Sequence, residues 1–238
     1  MLAPSANPGA RGLNVSSLKA QGCRGRTVEA EVFHEIAPGA FHLLKYLSVD
    51  RQRVLVEQCL ALIDGDVPAY VPTVRGGGKM HVRMLCLGRH WNGKTYTYEA
   101  TRSDFDGLPA PPLPDEFRAL ARELAASVDM AIDADLCILN YYGADGRMGL
   151  HQDKDESGRS IAAGVPVVSV SLGDTAHFLF GGMRRRDPVQ ALRLESGDAF
   201  VFGGPARLRY HGVSGIVPGS AQPALAMNGR INLTLRQY

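Results

Sequence analysis

The second half of the chain is a series of short apolar or alternating segments separated by glycine-rich turns. Each segment is four to eight residues long, which is the length of a β-strand and too short for most helices. Turn signals such as Gly181-Gly182 and Gly203-Gly204 punctuate the series. Many short strands between turns predict a β-sandwich or barrel. The predicted strands are residues 136–142, 165–172, 177–180, 191–194, 199–202, 207–211 and 230–237.

Two amphipathic helices are predicted in the first half of the chain. One follows Asp50 and ends at Ile63, before Gly65 and Pro68. The other begins near Pro114. Both are expected to brace the sheet, so the predicted fold class is mainly β, of the α+β type. The apolar residues at helical spacing are Leu55, Cys59 and Leu62 in the first helix, and Phe117, Leu120, Ala121 and Leu124 in the second.

Composition sets broad limits on the class of protein. A chain of 238 residues that is 45% hydrophobic fits one globular domain with an added subdomain. The net charge of +2 does not by itself call for a nucleic-acid partner, although local basic clusters bind phosphates. Residues 1–26 are rich in small residues and lack apolar periodicity, which predicts a flexible leader.

Cysteine usage and hydropathy bear on the compartment. The four cysteines have neither zinc-type nor paired spacing, which favours a reducing cytosol. No apolar run approaches the length that spans a membrane, and the first residues lack the apolar core of a signal peptide. We therefore expect a cytoplasmic protein without a membrane partner. The cysteines are Cys23, Cys59, Cys86 and Cys137.

Three residues form a candidate metal site. His151 and Asp153 are separated by one position, so in an extended strand their side chains point to the same face. His211, on a distant strand brought alongside, would complete a face of two histidines and one carboxylate. Such a face leaves coordination positions open, as non-haem iron oxygenases require. Each residue alone would be an ordinary structural polar group.

The C-terminal strand carries two arginines on one face. Arg230, Asn232, Thr234 and Arg236 alternate with Ile231, Leu233 and Leu235. Buried guanidinium groups need anionic partners, which a dicarboxylate such as 2-oxoglutarate would supply. Carboxylates of the protein itself are the alternative. Asn140 and Tyr142, also two positions apart, offer neutral hydrogen-bonding groups.

The segment at residues 76–102 mixes aromatic and cationic side chains. Three consecutive glycines at its start indicate a hinge or flexible loop. The aromatic residues Trp91, Tyr96 and Tyr98 are interleaved with five cations, a composition that suits base stacking and phosphate contact. Trp91 is equally suited to packing in a core. The cations are Lys79, Arg83, Arg89, Lys94 and Arg102.

These motifs together resemble the AlkB family of Fe(II)- and 2-oxoglutarate-dependent nucleic-acid dealkylases. The resemblance covers roughly residues 80–238 and keeps the family's order: Asn-x-Tyr, His-x-Asp-x-Asp-Glu, a glycine-bounded strand region, His-Gly and Arg-x-Asn-x-Thr-x-Arg. It implies a double-stranded β-helix, or jelly roll, with flanking helices, and it implies Fe(II), 2-oxoglutarate and O2. The implied metal ligands are His151, Asp153 and His211, and the implied 2-oxoglutarate residues are Asn140, Tyr142, Arg230, Asn232 and Arg236.

The resemblance also divides the chain and assigns substrate contacts. Residues 27–130 would form an N-terminal extension with helices and a nucleotide-recognition lid, and residues 131–238 the catalytic core. Trp91 would stack on an extruded base, with Tyr96 and Tyr98 near the phosphates or the pocket wall. Asp155 would accept a hydrogen bond from an exocyclic amine. Arg185 would contact phosphate or substrate, unless the three arginines at residues 184–186 are a solvated turn.

The function that the resemblance implies is oxidative demethylation of 1-methyladenine and 3-methylcytosine in DNA, with release of formaldehyde, succinate and CO2. The expected partner is alkylated DNA, with RNA as an alternative, and the expected state is a monomer. Two other readings stay open. The same core could oxidise RNA, protein or lipid, or the chain could be a metal-binding jelly-roll module without turnover.

Overall fold

The structure is a computed structural model that describes residues 33–238. The predicted leader at residues 1–26 lies outside the described residues, as does Cys23. Within the described part are 13 strands and three helices. The helices are α1 (Val49–Ile63), α2 (Asp115–Ala126) and α3 (Gly158–Ala162). The strands are β1 (Phe33–Ala37), β2 (Ala40–Leu43), β3 (Arg83–Leu87), β4 (His90–Asn92), β5 (Thr97–Glu99), β6 (Leu136–Tyr142), β7 (Met148–His151), β8 (Val167–Gly173), β9 (Thr175–Phe180), β10 (Gln190–Leu194), β11 (Ala199–Phe202), β12 (His211–Val217) and β13 (Arg230–Arg236).

Two antiparallel sheets form a sandwich. The larger has seven strands in the order β1-β2-β11-β8-β13-β6-β3, and the smaller has four in the order β10-β9-β12-β7. A cluster of buried side chains from both sheets, among them Ile138, Phe200, Phe178 and Val213, fills the space between them. Strands β4 and β5 form a separate hairpin. The predicted sandwich is therefore confirmed.

Apolar and polar side chains alternate along β13 of the larger sheet, so one face of this strand is apolar and the other is polar. In β13, Ile231 and Leu233 pack into the core that contains helices α1 and α2. The residues that alternate with them, Arg230 and Asn232, line a cavity between the sheets. Strand β6 lies beside β13 with Asn232 opposite Asn140. The alternation predicted for the C-terminal strand is thus what places polar side chains in the cavity.

Both predicted helices are present, and they cover the outer face of the larger sheet. Helix α1 begins after Ser48, whose hydroxyl accepts a hydrogen bond from the backbone N–H of Arg51 at 3.3 Å. Helix α2 begins after Pro114 and buries Phe117 and Leu124. The short helix α3 was not predicted. No helix among residues 33–238 is long and apolar enough to cross a membrane.

The strand predicted at residues 207–211 is wrong. A 3-10 turn occupies Gly204–Ala206, and the chain becomes extended only at His211, from which β12 runs to Val217. The buried side chain of Arg207 explains the difference, because it bonds to backbone carbonyls and to a carboxylate on other segments rather than standing in a strand. The other predicted strands match the structure to within two residues.

Candidate active site

His151, Asp153 and His211 meet at one end of the smaller sheet. His151 is the last residue of β7 and His211 the first of β12, and the two are paired in register. Asp153 lies just beyond β7 rather than within a strand. Its carboxylate oxygens are 3.6 Å from Nε2 of His151 and 3.5 Å from Nε2 of His211. One ligand atom from each residue lies within 4.8 Å of the others, so the three could hold a metal ion.

Backbone carbonyls fix both imidazole rings in an orientation suited to a metal. Nδ1 of His151 is 2.9 Å from the carbonyl oxygen of Gly149, and Nδ1 of His211 is 3.1 Å from that of Arg209. Because a carbonyl oxygen only accepts, each Nδ1 carries the hydrogen, and Nε2 of a neutral ring presents its lone pair to Asp153. This is the arrangement found behind metal-binding histidines.

The charges around the site favour a deprotonated ligand set. Burial by itself raises the pKa of Asp153, but its charged surroundings, the Arg236 guanidinium foremost, hold that pKa well below its usual range. Burial, together with a smaller contribution from His211, lowers the pKa of His151 to about 4. Oδ2 of Asp153 has no hydrogen-bond donor among the described residues. Lone pairs that converge without a hydrogen between them fit a cation.

Arg230 is a buried guanidinium without a carboxylate partner among residues 33–238. It is 1% exposed, and it donates to Ser171 Oγ at 2.8 Å and to the carbonyl of Leu194 at 3.3 Å. Its Nε has no acceptor there. Burial lowers the pKa of Arg230 to about 10, so it stays cationic at neutral pH. A buried cation with spare donors fits an anionic ligand such as the distal carboxylate of 2-oxoglutarate.

Neutral groups next to Arg230 complete this anion site. Tyr142 lies directly opposite Arg230 across the two strands, and burial raises its pKa to about 12, which keeps the phenol protonated. Asn140 has an unpartnered buried Oδ1 within the described part of the chain. Asn232 lines the cavity, but its amide already donates to Ser169 Oγ and its oxygen accepts from Thr234. Its share in ligand binding is accordingly smaller than that of Arg230.

Arg236 does not share the role expected for both arginines. Its Nη2 lies 2.8 Å from Oδ1 of Asp153, and its Nη1 donates to Oε1 of Glu156 at 3.0 Å. Burial lowers the pKa of Arg236, but Asp153, Tyr98 and Glu156 raise it above its usual value. The protein's own carboxylates therefore satisfy this guanidinium, which was the alternative reading of the sequence. Arg230 has no carboxylate partner among residues 33–238, so for this residue binding of 2-oxoglutarate stays the prediction.

One cavity of about 1050 Å³ contains both halves of the site. It reaches the metal triad and Arg230 at its deep end, while Trp91 and Tyr96 from the β4–β5 hairpin line its mouth. Asp155 and Arg185, also predicted to contact substrate, line the same cavity. Nε1 of Trp91 donates to Oδ2 of Asp155 at 2.8 Å, so one oxygen of that carboxylate already has a protein partner.

The expectation that Tyr98 lines the pocket or meets phosphates is not met, because Tyr98 is not among the residues that line the cavity. The side chain is 8% exposed and packs behind the cavity, where its hydroxyl oxygen accepts from Nη1 of Arg236 at 2.7 Å. Although Trp91 pairs with Tyr98 in register, the Tyr98 hydroxyl meets Arg236 and Glu156 rather than the cavity. Glu156, which follows Asp155 in the chain, is also buried behind the cavity, between Arg236 and Arg207.

Sequence reasoning missed the serines that hold Arg230 and Asn232. Ser169 and Ser171 stand two apart in β8, on the strand that pairs with β13. Their alternation with Val168 and Val170 was a usable signal, since a small polar residue recurring on one face of an apolar strand marks a polar interior. Arg207 and Glu156 had no such periodic signal.

Comparison with known proteins identifies the class. The family model described as the 2OG-Fe(II) oxygenase superfamily matches residues 39–236, so the chain belongs to this superfamily. Its members use Fe(II), 2-oxoglutarate and O2. The convergent triad fits that set, as does Arg230, which has no carboxylate partner in the described part of the chain.

Within the superfamily the chain is a member of the AlkB family. It is 42% identical to the DNA N(6)-methyladenine demethylase ALKBH1C of Arabidopsis thaliana, over 85% of this chain and 49% of the relative. It is 41% identical to the alpha-ketoglutarate-dependent dioxygenase AlkB homolog of Caulobacter vibrioides, over 80% of this chain and 84% of the relative. The solved structure of OsALKBH1 is 36% identical, with a TM-score of 0.81 over 87% of this chain and 100% of that chain. The jelly-roll fold is confirmed by this match. The chain spans about half the length of the Arabidopsis relatives that it matches.

Proposed function

We propose that the protein is an Fe(II)- and 2-oxoglutarate-dependent dioxygenase that removes methyl groups from N-methylated bases in DNA. The observation that carries the proposal is one cavity lined both by three convergent side chains that could hold a metal and by Arg230, a buried arginine with no carboxylate partner among residues 33–238. A binding module without turnover has no need of a second anion site next to its metal. The aromatic mouth formed by Trp91 and Tyr96 supports a planar base as substrate.

The residues divide the work of binding and placement. His151, Asp153 and His211 would hold iron, and Arg230 with Tyr142 would hold the distal carboxylate of 2-oxoglutarate. The chemistry supplied by the bound iron and cosubstrate is the use of O2 to hydroxylate the N-methyl carbon, with formation of succinate and CO2. The hydroxymethyl base then loses formaldehyde. The protein's share is to orient the methyl group and to exclude water.

The proposed lesions are N-methyl groups at positions that an extruded base presents to the deep end of the cavity. Relatives named as DNA N(6)-methyladenine demethylases support N6-methyladenine. We also propose 1-methyladenine and 3-methylcytosine as substrates. Both bases are cationic, and Asp155 places a carboxylate on the cavity wall that would favour them. Burial raises the pKa of Asp155 above its usual value, and the hydrogen bond from the Trp91 N–H offsets part of that rise.

The test is an aerobic assay with Fe(II), 2-oxoglutarate and oligonucleotides that carry one of the three lesions, as DNA and as RNA. Formaldehyde and repaired base are both measured. We expect turnover of methylated DNA by the wild type and a loss of about 1000-fold or more in His211→Ala, since a catalytic metal site does not tolerate loss of a ligand. His177→Ala, an exposed histidine on β9, is the matched control and should keep wild-type activity. Activity that survives in His211→Ala would contradict the proposal.

A further inference from the structure

We propose that Glu156 is a positioning residue for the metal site. It accepts a hydrogen bond from one of the two Nη atoms of Arg236, so that Asp153 keeps one carboxylate oxygen for the metal ion. The inference rests on the metal site of the proposed function and adds a residue that touches neither metal nor substrate. Glu156 lies in the chain three residues after Asp153 and is 6% exposed.

The hydrogen bonds of Arg236 are shared between two carboxylates. Nη2 meets only Oδ1 of Asp153, at 2.8 Å, while Nη1 donates to Oε1 of Glu156 at 3.0 Å and to the hydroxyl of Tyr98 at 2.7 Å. A guanidinium group left free against one carboxylate prefers the two-pronged contact with both oxygens. Glu156 and Tyr98 hold Nη1 away from that geometry. Oδ2 of Asp153 therefore remains without a donor and points to the metal position.

Glu156 also anchors the residue that holds the backbone of Asp153. Its Oε2 accepts from Nη2 of Arg207 at 2.9 Å. Through Nη1, Arg207 donates to the backbone carbonyl of Asp153, and through Nε to that of Val165 at 2.8 Å. One carboxylate thus orients two guanidinium groups, which restrain Asp153 from its side chain and from its main chain.

The charges of this buried group of four side chains balance only if Glu156 is present. Arg207 and Arg236 contribute two positive charges, and Glu156 and Asp153 two negative ones, and all four side chains are less than a tenth exposed. Without Glu156, two guanidinium groups would compete for the single carboxylate of Asp153. The expected consequence is a folded protein in which Asp153 is drawn from the metal toward arginine.

Metal affinity can be measured without turnover because the chain has a single tryptophan, Trp91, which lies in the same cavity. Mn(II) alone is titrated into the full chain, and quenching of the Trp91 fluorescence reports binding. We expect Glu156→Gln to raise the Kd for Mn(II) about tenfold, the usual size of an effect from a group behind a metal ligand. Glu195→Gln, which changes an exposed glutamate, is the matched control and should leave the Kd unchanged.

A second measurement separates positioning from a general loss of stability. The visible absorption of the Co(II)-loaded protein depends on the ligand geometry, and we expect Glu156→Gln to change its shape at full metal saturation. A purely structural role would lower the urea midpoint and leave both the Kd and the Co(II) spectrum at their wild-type values, which would overturn the inference. If Glu156→Gln does not fold, Arg207→Lys replaces it. That variant keeps the charge beside Glu156 but loses the Nη1 hydrogen bond to the backbone carbonyl of Asp153, so the Kd should rise by a smaller factor.

The titration also distinguishes failure of this inference from failure of the proposed function. A wild-type Kd for Mn(II) in both Glu156→Gln and Arg207→Lys overturns the role of Glu156 and leaves the metal site intact. Mn(II) binding that is equal in wild type and His211→Ala overturns the metal site itself, and with it both proposals.

Discussion

The indole N–H of Trp91 donates to Oδ2 of Asp155 at 2.8 Å, which joins the β4–β5 hairpin to the segment that carries Asp153. Asp155, which holds the hairpin through Trp91, is thus only two residues along the chain from Asp153, the predicted metal ligand. The ring of Tyr96 lies 5.6 Å from that of Trp91, and both side chains line the cavity.

We expect Asp155→Asn to separate cationic from neutral lesions. The amide oxygen can still accept from Trp91, so the lid is retained while the negative charge is lost. Because a hydrogen bond to a charged group contributes about 1.5–3 kcal/mol, turnover of 1-methyladenine and 3-methylcytosine should fall about tenfold or more relative to N6-methyladenine. The measurement is kcat/KM for each lesion. An equal fall for all three lesions, or for cosubstrate decarboxylation without DNA, would contradict a role in recognition of charge.

Trp91→Phe tests the lid in the opposite way, since it keeps an aromatic face and removes the hydrogen bond to Asp155. We expect the KM for methylated DNA to rise about fivefold, because the hydrogen bond that orients the ring contributes roughly 1 kcal/mol. The Kd for 2-oxoglutarate should change little. Tyr46→Phe, on the helical side of the protein, serves as an aromatic control. If the Kd for 2-oxoglutarate rises as much as the KM for DNA, Trp91 supports the whole cavity rather than the base.

The parts of this architecture that were predictable from the sequence are those fixed by local periodicity. Alternation in β13 placed Arg230 on the cavity side, and helical spacing placed Phe117 and Leu124 on the sheet. The two histidines predicted as metal ligands also come together, since His151 ends one strand and His211 begins its neighbour.

The partners of buried charges were not predictable in this way. Arg236 meets Tyr98 across 138 positions of sequence and Glu156 across 80, and only the packing of the hairpin against the sheet brings them together. The same limit explains the wrong strand at residues 207–211. An apolar alternation there was real, but the contacts of Arg207 with Glu156 and Val165 determine the backbone.

Arg230→Met should weaken cosubstrate binding and stabilise the protein. The Kd for 2-oxoglutarate in the Mn(II)-loaded, anaerobic protein should rise about 30-fold or more, because a charged hydrogen-bonding partner contributes about 2–3 kcal/mol. Without cosubstrate, the free energy of unfolding should increase by about 1 kcal/mol or more, since the variant removes a buried charge that lacks a carboxylate partner. Calorimetry and urea unfolding check the two effects. Arg193→Met, at an exposed position on β10, is the control. A loss of stability in Arg230→Met would argue that contacts within the protein already satisfy the Arg230 guanidinium.

Metal and cosubstrate together should raise the melting temperature of the wild type. Ligands at about 100 times their Kd stabilise a folded protein by about 2.7 kcal/mol, and chelation should remove that gain. Differential scanning fluorimetry with Mn(II) and 2-oxoglutarate measures the shift. In His211→Ala the shift should vanish, while His177→Ala should retain it. A shift in His211→Ala equal to that of the wild type would place the metal elsewhere.

Tyr98→Phe tests the reassignment of Tyr98 from the pocket to the support of Arg236. The variant leaves the ring in place and removes a buried hydroxyl that accepts from Nη1 of Arg236. We expect a loss of about 1–3 kcal/mol in the free energy of unfolding, because a buried charged donor loses one acceptor but keeps Glu156. The ratios of kcat/KM among the three lesions should not change. Tyr96→Phe is the matched variant at the mouth of the cavity, where the hydroxyl is part of an exposed side chain and its loss should leave stability unaltered. A change of lesion preference in Tyr98→Phe without loss of stability would return Tyr98 to the substrate pocket.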